Sequence, residues 1–292
     1  MRKNIYEGTV YRPPSEWNSL IIQSTIGCSH NKCTFCSMYK GKKFRIKTIE
    51  QVKEDILIGS DMYKESTKVF LADGDALIRK TSEQLEILSY IKTVMPQCER
   101  VTCYGSPKSI LGKSHEELVS LKNAGLQMVY LGLESGSNQV LERINKGATS
   151  SEIIKAAKLI KEAGIKLSVT AIIGIGGKEL SKIHGIETGK VLSKMRADYI
   201  GLLTLMLENG TKLEEQYERG EFEFLCQEDI LRETQLIVEN LDSPGSVFRA
   251  NHASNYLNLS GTLNEDKERI LDVLNRAING QIYLKQDKYR GL

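Results

Sequence analysis

The chain has 292 residues, 40% of them hydrophobic and 26% charged, with 24 Gly and only 5 Pro. Such values belong to a globular protein and exclude collagen, a mucin-like stalk and a largely disordered chain. Forty Lys and Arg against 37 Asp and Glu leave a net charge of +3, too small to argue for a nucleic-acid or anionic-membrane partner.

Residues 1–17 are polar, contain Pro13 and Pro14, and lack the apolar run of a signal peptide. The longest apolar stretch, 167–175, is interrupted by Ser168 and Thr170 and falls far short of the ~20 residues of a membrane span. A cytoplasmic location without membrane attachment is therefore expected, and with it reduced thiols rather than a disulfide framework. Of the six cysteines, Cys28, Cys33 and Cys36 crowd into one segment. Cys98, Cys103 and Cys226 are scattered and are expected as buried thiols.

Runs rich in Val, Ile, Leu and Tyr predict strands at 20–26, 69–72, 101–104, 128–133, 167–173 and 199–205. Between them lie helical patterns. Residues 49–58 read IEQVKEDILI, with apolar positions at helical spacing. Residues 82–94 open on Ser82 as N-cap, with Glu83 in the first turn, and Ser114 to Glu117 resembles a capping box. Residues 151–163 repeat apolar positions at i, i+3 and i+4 and stop at Gly164. Beyond residue 220 the rhythm changes to a helix at 227–240, a polar Asn-rich stretch at 243–261 and a last helix at 264–279.

Six strand–helix repeats predict an α/β fold. Polar, glycine and acidic residues recur just after each strand, where the functional rim of a barrel lies, so a partial (β/α)6 TIM-like barrel fits better than an open doubly wound sheet. The expected organisation is an N-terminal segment 1–17, a core barrel 18–220 and a C-terminal helical and polar extension 221–292 covering it.

Residues 27–36, GCSHNKCTFC, follow the first strand with the spacing C-x4-C-x2-C. Thiolates are soft ligands for iron–sulfur clusters or zinc. Three of them would hold a [4Fe–4S] cluster with one iron left open to another ligand. The alternatives are a zinc site completed by His30, or reduced thiols without metal.

The loop, with Phe35 before its last cysteine, resembles that of the radical S-adenosylmethionine (SAM) superfamily, with one residue more than the family's usual C-x3-C-x2-C. The branch it looks like contains coproporphyrinogen dehydrogenase, the methylthiotransferases and the elongator catalytic subunit, and the resemblance covers residues 18–215. It implies that Cys28, Cys33 and Cys36 hold the cluster, and that Phe35 packs toward the SAM adenine. Ala72-Asp73-Gly74-Asp75 stands where the family's glycine motif meets the SAM amino group, which places Gly74 and Asp75 at the cofactor. Tyr104 takes the place of a frequent Glu that contacts SAM, which makes it a candidate for the cofactor site. In LGLESGSNQVLERINKG, residues 131–147, the resemblance assigns Glu134 to the ribose side and Lys146 to the SAM carboxylate. Thr170 and Ile172, in VTAIIGIGG, fall at the ribose and adenine, as does Leu205 on the next strand.

The implied activity is reductive cleavage of SAM to methionine and a 5′-deoxyadenosyl radical that abstracts hydrogen from a small-molecule substrate. An outside electron donor such as a ferredoxin or flavodoxin is implied too. The stretch FRANHASNYL, 248–257, is dense in donors and acceptors. Arg249, Asn251 and Asn255 are candidates for substrate contact, and His252 for proton transfer. The basic run 40–47 reads as a solvated face. Modification of RNA or a peptide is the second reading, disfavoured for nucleic acid by the balanced charge. A non-catalytic zinc or electron-transfer protein is the third.

Overall fold

The computed structural model describes residues 4–291. In chain order its strands and helices are β1 (Leu20–Gln23), β2 (Thr25–Ile26), β3 (Arg45–Ile46), α1 (Ile49–Met62), β4 (Lys68–Ala72), α2 (Thr81–Val94), β5 (Arg100–Tyr104), α3 (Pro107–Leu111), α4 (His115–Ala124) and β6 (Leu126–Glu134). There follow α5 (Asn138–Arg143), α6 (Ser150–Glu162), β7 (Lys166–Ile173), α7 (Gly177–Met195), β8 (Tyr199–Thr204), α8 (Lys212–Glu218), α9 (Gln227–Glu239), β9 (Val247–Ala250), β10 (Leu259–Thr262) and α10 (Lys267–Ile278). The main sheet has eight strands in the order β1-β4-β5-β6-β7-β8-β9-β10. β1/β4, β4/β5, β5/β6, β7/β8 and β8/β9 pair parallel, and β10 runs antiparallel to β9. This is the α/β, mostly parallel topology of a partial (β/α) barrel, as expected. No helix is long and apolar enough to cross a membrane among the described residues.

Local signals set the helix ends. Thr48 and Gln51 form a capping box on α1, and Ser114 and Glu117 form one on α4, which ends at Gly125 with φ +120°. The expected N-cap at Ser82 is displaced: α2 begins at Thr81, with Lys80 at the cap and no side-chain cap bond. The first strand is also shorter than expected. At Ser24 the chain leaves the main sheet, and Thr25 and Ile26 pair instead with Arg45 and Ile46.

The molecule divides into two compact units. The first holds residues 4–31, 38–131 and 158–167. In it one face of the strands buries Ile21, Phe70, Ala72, Met128 and Tyr130, with Tyr6, Val10 and Tyr104 packed against them. The N-terminal segment is tied to this face. Glu16, fully buried, accepts from the Arg100 guanidinium at 2.9 Å and from the Tyr130 hydroxyl, while Glu7 N–H donates to Gln23 Oε1 at 2.8 Å.

The second unit holds residues 32–37, 132–157 and 168–291. Its β7 and β8 alternate between buried residues and half-exposed or exposed ones. The buried set faces helices: Ile173, Thr204 and Ala250 meet Ile230, Thr234 and Leu274 of α9 and α10. α7 lies against α9 through two glycines. A Cβ on Gly189 would stand 2.5 Å from the Ile237 carbonyl oxygen, and one on Gly185 would stand 2.9 Å from Leu236 Cβ. β9 and β10 occupy the stretch expected to be a polar loop, because Phe248, Ala250 and Leu259 alternate with polar neighbours once they pair.

Candidate functional site

The cysteine loop begins at Gly27, whose φ of +77° suits glycine alone. The buried Asp73 carboxylate fastens this entry. It accepts from Gly27 N–H at 2.8 Å, from Lys42 Nζ at 2.9 Å and from Gln23 Nε2. Gly74 N–H donates to the Gly27 carbonyl at 3.1 Å. Gly74 is a glycine for a spatial reason: a Cβ there would lie 2.7 Å from Cys28 Cβ. Asp75, also fully buried, accepts from Ser29 Oγ at 2.6 Å, from Ser106 Oγ and N–H, and from Ser109 Oγ. The carboxylates of the D-G-D turn thus fix backbone and neighbouring hydroxyls around Cys28.

The later part of the loop is held within the second unit. Thr34 N–H donates to the Ile144 carbonyl at 3.0 Å, Leu213 N–H to that of Thr34 at 3.0 Å, and Ser37 Oγ to Glu208 at 2.9 Å. Phe35, Cys33 and Cys36 are partly exposed, as is Cys28, and none of the six cysteines is in a disulfide. Of the scattered three, Cys103 is buried and its thiol pKa is pushed far up, chiefly by burial. Cys98 is half-buried with its pKa raised for the same reason. Cys226 corrects the expectation of a buried thiol. It is exposed, and its Sγ lies 3.2 Å from Asp229 Oδ2, beside the first turn of α9.

Three soft donors in one anchored loop, with a glycine where a side chain would crowd Cys28, suit a cluster that takes three protein ligands. Among the described residues no three His, Cys, Asp or Glu side chains converge on one point as a single metal ion demands. A cluster would instead be surrounded by the three thiolates, one for each of three irons.

Glu134 ends β6 with φ +62°, a left-handed conformation uncommon outside glycine. Its Oε1 receives Lys146 Nζ at 2.8 Å, and both side chains are only 12% exposed. Gly132 makes room for the pair: a Cβ there would lie 2.1 Å from Glu134 Oε1 and 3.0 Å from Lys146 Nζ. The structure therefore brings Glu134 and Lys146 together at the end of one strand.

Thr170 and Ile172 share the half-exposed face of β7. Leu205 is buried, and its N–H donates to the Ile173 carbonyl at 2.8 Å. Tyr104 packs edge-on against Phe70 and Tyr130, with ring centroids 5.0 and 6.0 Å away. In the C-terminal stretch, His252 Nδ1 lies 2.9 Å from Ser254 Oγ, and burial depresses its pKa with a smaller contribution from Lys285. Asn255 is buried and bonded to β8: its Nδ2 donates to the Leu202 carbonyl at 2.8 Å and its Oδ1 accepts from Thr204 Oγ1 at 2.9 Å. Arg249 and Asn251 are exposed.

Sequence reasoning missed a buried pair beneath Gly174. Glu233 of α9 accepts from Gly174 N–H at 2.6 Å, and His184 Nε2 of α7 lies 3.4 Å from the same oxygen. His184 Nδ1 is 2.8 Å from Ser135 Oγ. Burial pushes Glu233 up to about 7 and His184 down to about 4. The available signal was an acidic residue inside the apolar stripe of α9, facing the G-x-x-x-G of α7.

The sequence family described as the Radical SAM superfamily matches residues 22–186. An uncharacterised protein of Methanocaldococcus jannaschii is 37% identical over 68% of this chain and 64% of its own length. The chain thus spans less than two thirds of that curated relative. Among solved structures, coproporphyrinogen III oxidase from Escherichia coli, described as a radical SAM enzyme, superposes with a TM-score of 0.58 at 13% identity over 76% of this chain and 52% of that one. A methylornithine synthase superposes with a TM-score of 0.54 at 15% identity over 93% of this chain and 86% of its own. At these identities the structural likeness concerns the fold.

Proposed function

The chain belongs to the radical SAM superfamily, and from that premise we propose that it abstracts hydrogen from a small-molecule substrate. Membership implies a [4Fe–4S] cluster, SAM and a supply of reducing electrons. We take the donor to be a small acidic electron carrier, a ferredoxin or flavodoxin. When bound, the cluster and SAM supply reductive C–S cleavage and the 5′-deoxyadenosyl radical.

The chain's own residues hold and enclose these groups. Cys28, Cys33 and Cys36 hold the cluster. The observation that carries this assignment is the three-cysteine loop with Gly74 under Cys28, where any side chain would collide. Lys146 offers a cation to the SAM carboxylate and Glu134 orients it, since their ion pair is formed in the protein itself. Gly74, Asp75, Thr170 and Ile172 line the cofactor, with Asp75 acting through the backbone it fixes. The near-balanced net charge of +3 supports a small molecule over nucleic acid.

The test is anaerobic reconstitution with iron and sulfide, then incubation with dithionite and SAM. About four irons per chain and formation of 5′-deoxyadenosine are expected, and Cys33→Ala should lose most of both. Wild-type protein that binds a full cluster yet leaves SAM intact would overturn the proposal.

A further inference from the structure

The second unit carries a feature unrelated to the cluster loop. Along β7, β8, β9 and β10 the register aligns Thr170 with Gly201, Gly201 with Arg249, and Arg249 with Ser260. Residues in register share a face. This face lies opposite the one that Ile173, Thr204 and Ala250 present to α9 and α10. The row therefore reads hydroxyl, gap, guanidinium, hydroxyl across four strands.

Gly201 is the unusual member. Its φ is not positive, so its backbone does not require glycine. Packing does not require it either: a Cβ would meet only Thr170 Oγ1 and the Val169 carbonyl oxygen, both at an ordinary 3.8 Å. Glycine inside a strand weakens it, and often marks a place where a ligand comes close. The gap is bordered by Arg249, which is exposed and whose Nη1 donates to the neighbouring Phe248 carbonyl at 2.9 Å. Its charge has no carboxylate partner among the described residues. The face offers none: alongside Arg249 it carries Lys166, Ser168, Thr170, Ile172, Tyr199 and Leu203, with no acidic side chain from β7 to β10.

We propose that Thr170, Gly201 and Arg249 form a subsite for an oxyanion of the substrate, a carboxylate or a phosphate. The planar guanidinium takes two oxygens in a fork, the Thr170 hydroxyl donates its one proton to one of them while its oxygen stays free to accept from the cofactor, and the missing side chain at Gly201 lets the anion approach the strand. This deepens the proposed function, on which it rests: it makes the substrate an anion and places it along the strand row that includes Thr170.

The test uses reconstituted holoprotein with SAM bound, so that Lys146 is already engaged. Inorganic phosphate and malonate are titrated separately by calorimetry at constant ionic strength. Saturable binding of one of them is expected, and which one binds tells phosphate from carboxylate. Arg249→Gln should weaken it by about tenfold or more, the scale of a lost charge-assisted bond, with Arg249→Lys between the two. Gly201→Leu, which fills the gap and keeps the charge, should weaken it likewise. Gly201→Ala serves if the larger residue disturbs folding, as judged by iron content. Absence of saturable binding by either ion, or equal binding by Arg249→Gln and wild type, overturns the proposal. Anion binding by a protein that fails to cleave SAM would instead remove the catalytic function and leave the subsite standing.

Discussion

Gly132→Ala perturbs the Glu134–Lys146 pair without replacing either residue. Gly132 and Glu134 are two apart on β6 and share a face, and the left-handed φ at Glu134 ends the strand there. The new methyl would sit 2.1 Å from Glu134 Oε1. Removing that overlap requires the carboxylate to retreat by roughly 1 Å or more. The carboxylate is the end of a flexible side chain, so the fold survives, but the 2.8 Å contact with Lys146 does not. Loss of a hydrogen bond between charged groups costs about 1.5–3 kcal/mol, and solvent screens it little where both side chains are 12% exposed. Gly→Ala in a backbone that accepts alanine returns ~0.4–1 kcal/mol through the unfolded state. The expected net destabilisation is about 1–2 kcal/mol in urea titration, with SAM binding by equilibrium dialysis weakened roughly tenfold or more. Lys146→Ala should weaken SAM binding comparably, and the double variant should be no worse than the stronger single one, since both act on one pair. Unchanged SAM affinity in Gly132→Ala would refute the link between the pair and the cofactor.

Glu233→Gln reports on the buried pair through pH. Burial raises Glu233 from 4.5 to about 7, so the native state keeps a proton that the unfolded chain releases, and its contribution to stability falls as pH rises through that window. His184, lowered to about 4, acts in the opposite direction between there and 6.5, so the variant is compared with wild type at each pH. Gln still accepts from Gly174 N–H, and the variant should gain on wild type between pH 5 and pH 8 in urea midpoint; an equal offset at both values would refute the assignment. Asn255→Ala removes both bonds to β8 from a buried site and should cost roughly 1–3 kcal/mol in the same titration, whereas an unchanged midpoint would show that Asn255 does not hold that strand.

The sequence by itself determined the alternation of strands and helices, the capping box at Ser114, and the thiol chemistry of residues 27–36. Each is written in neighbouring residues: apolar period, a hydroxyl three residues before its partner, three soft ligands in one loop. The pairing of β9 and β10 was not legible, because four-residue strands among Ser, Asn and Gly carry too little pattern until a neighbouring strand supplies their hydrogen bonds. Nor was the role of Asp73 and Asp75, whose donors lie up to 50 residues away in the chain. Glu233 and His184 meet 49 residues apart only because Gly185 and Gly189 let α7 settle onto α9. Gly201 shows the same division. As a letter it is one of 24 glycines, and its meaning arises only when the register sets Thr170 on one side of it and Arg249 on the other. Local periodicity fixes which elements form. Which side chains share a site depends on contacts that only the folded chain makes.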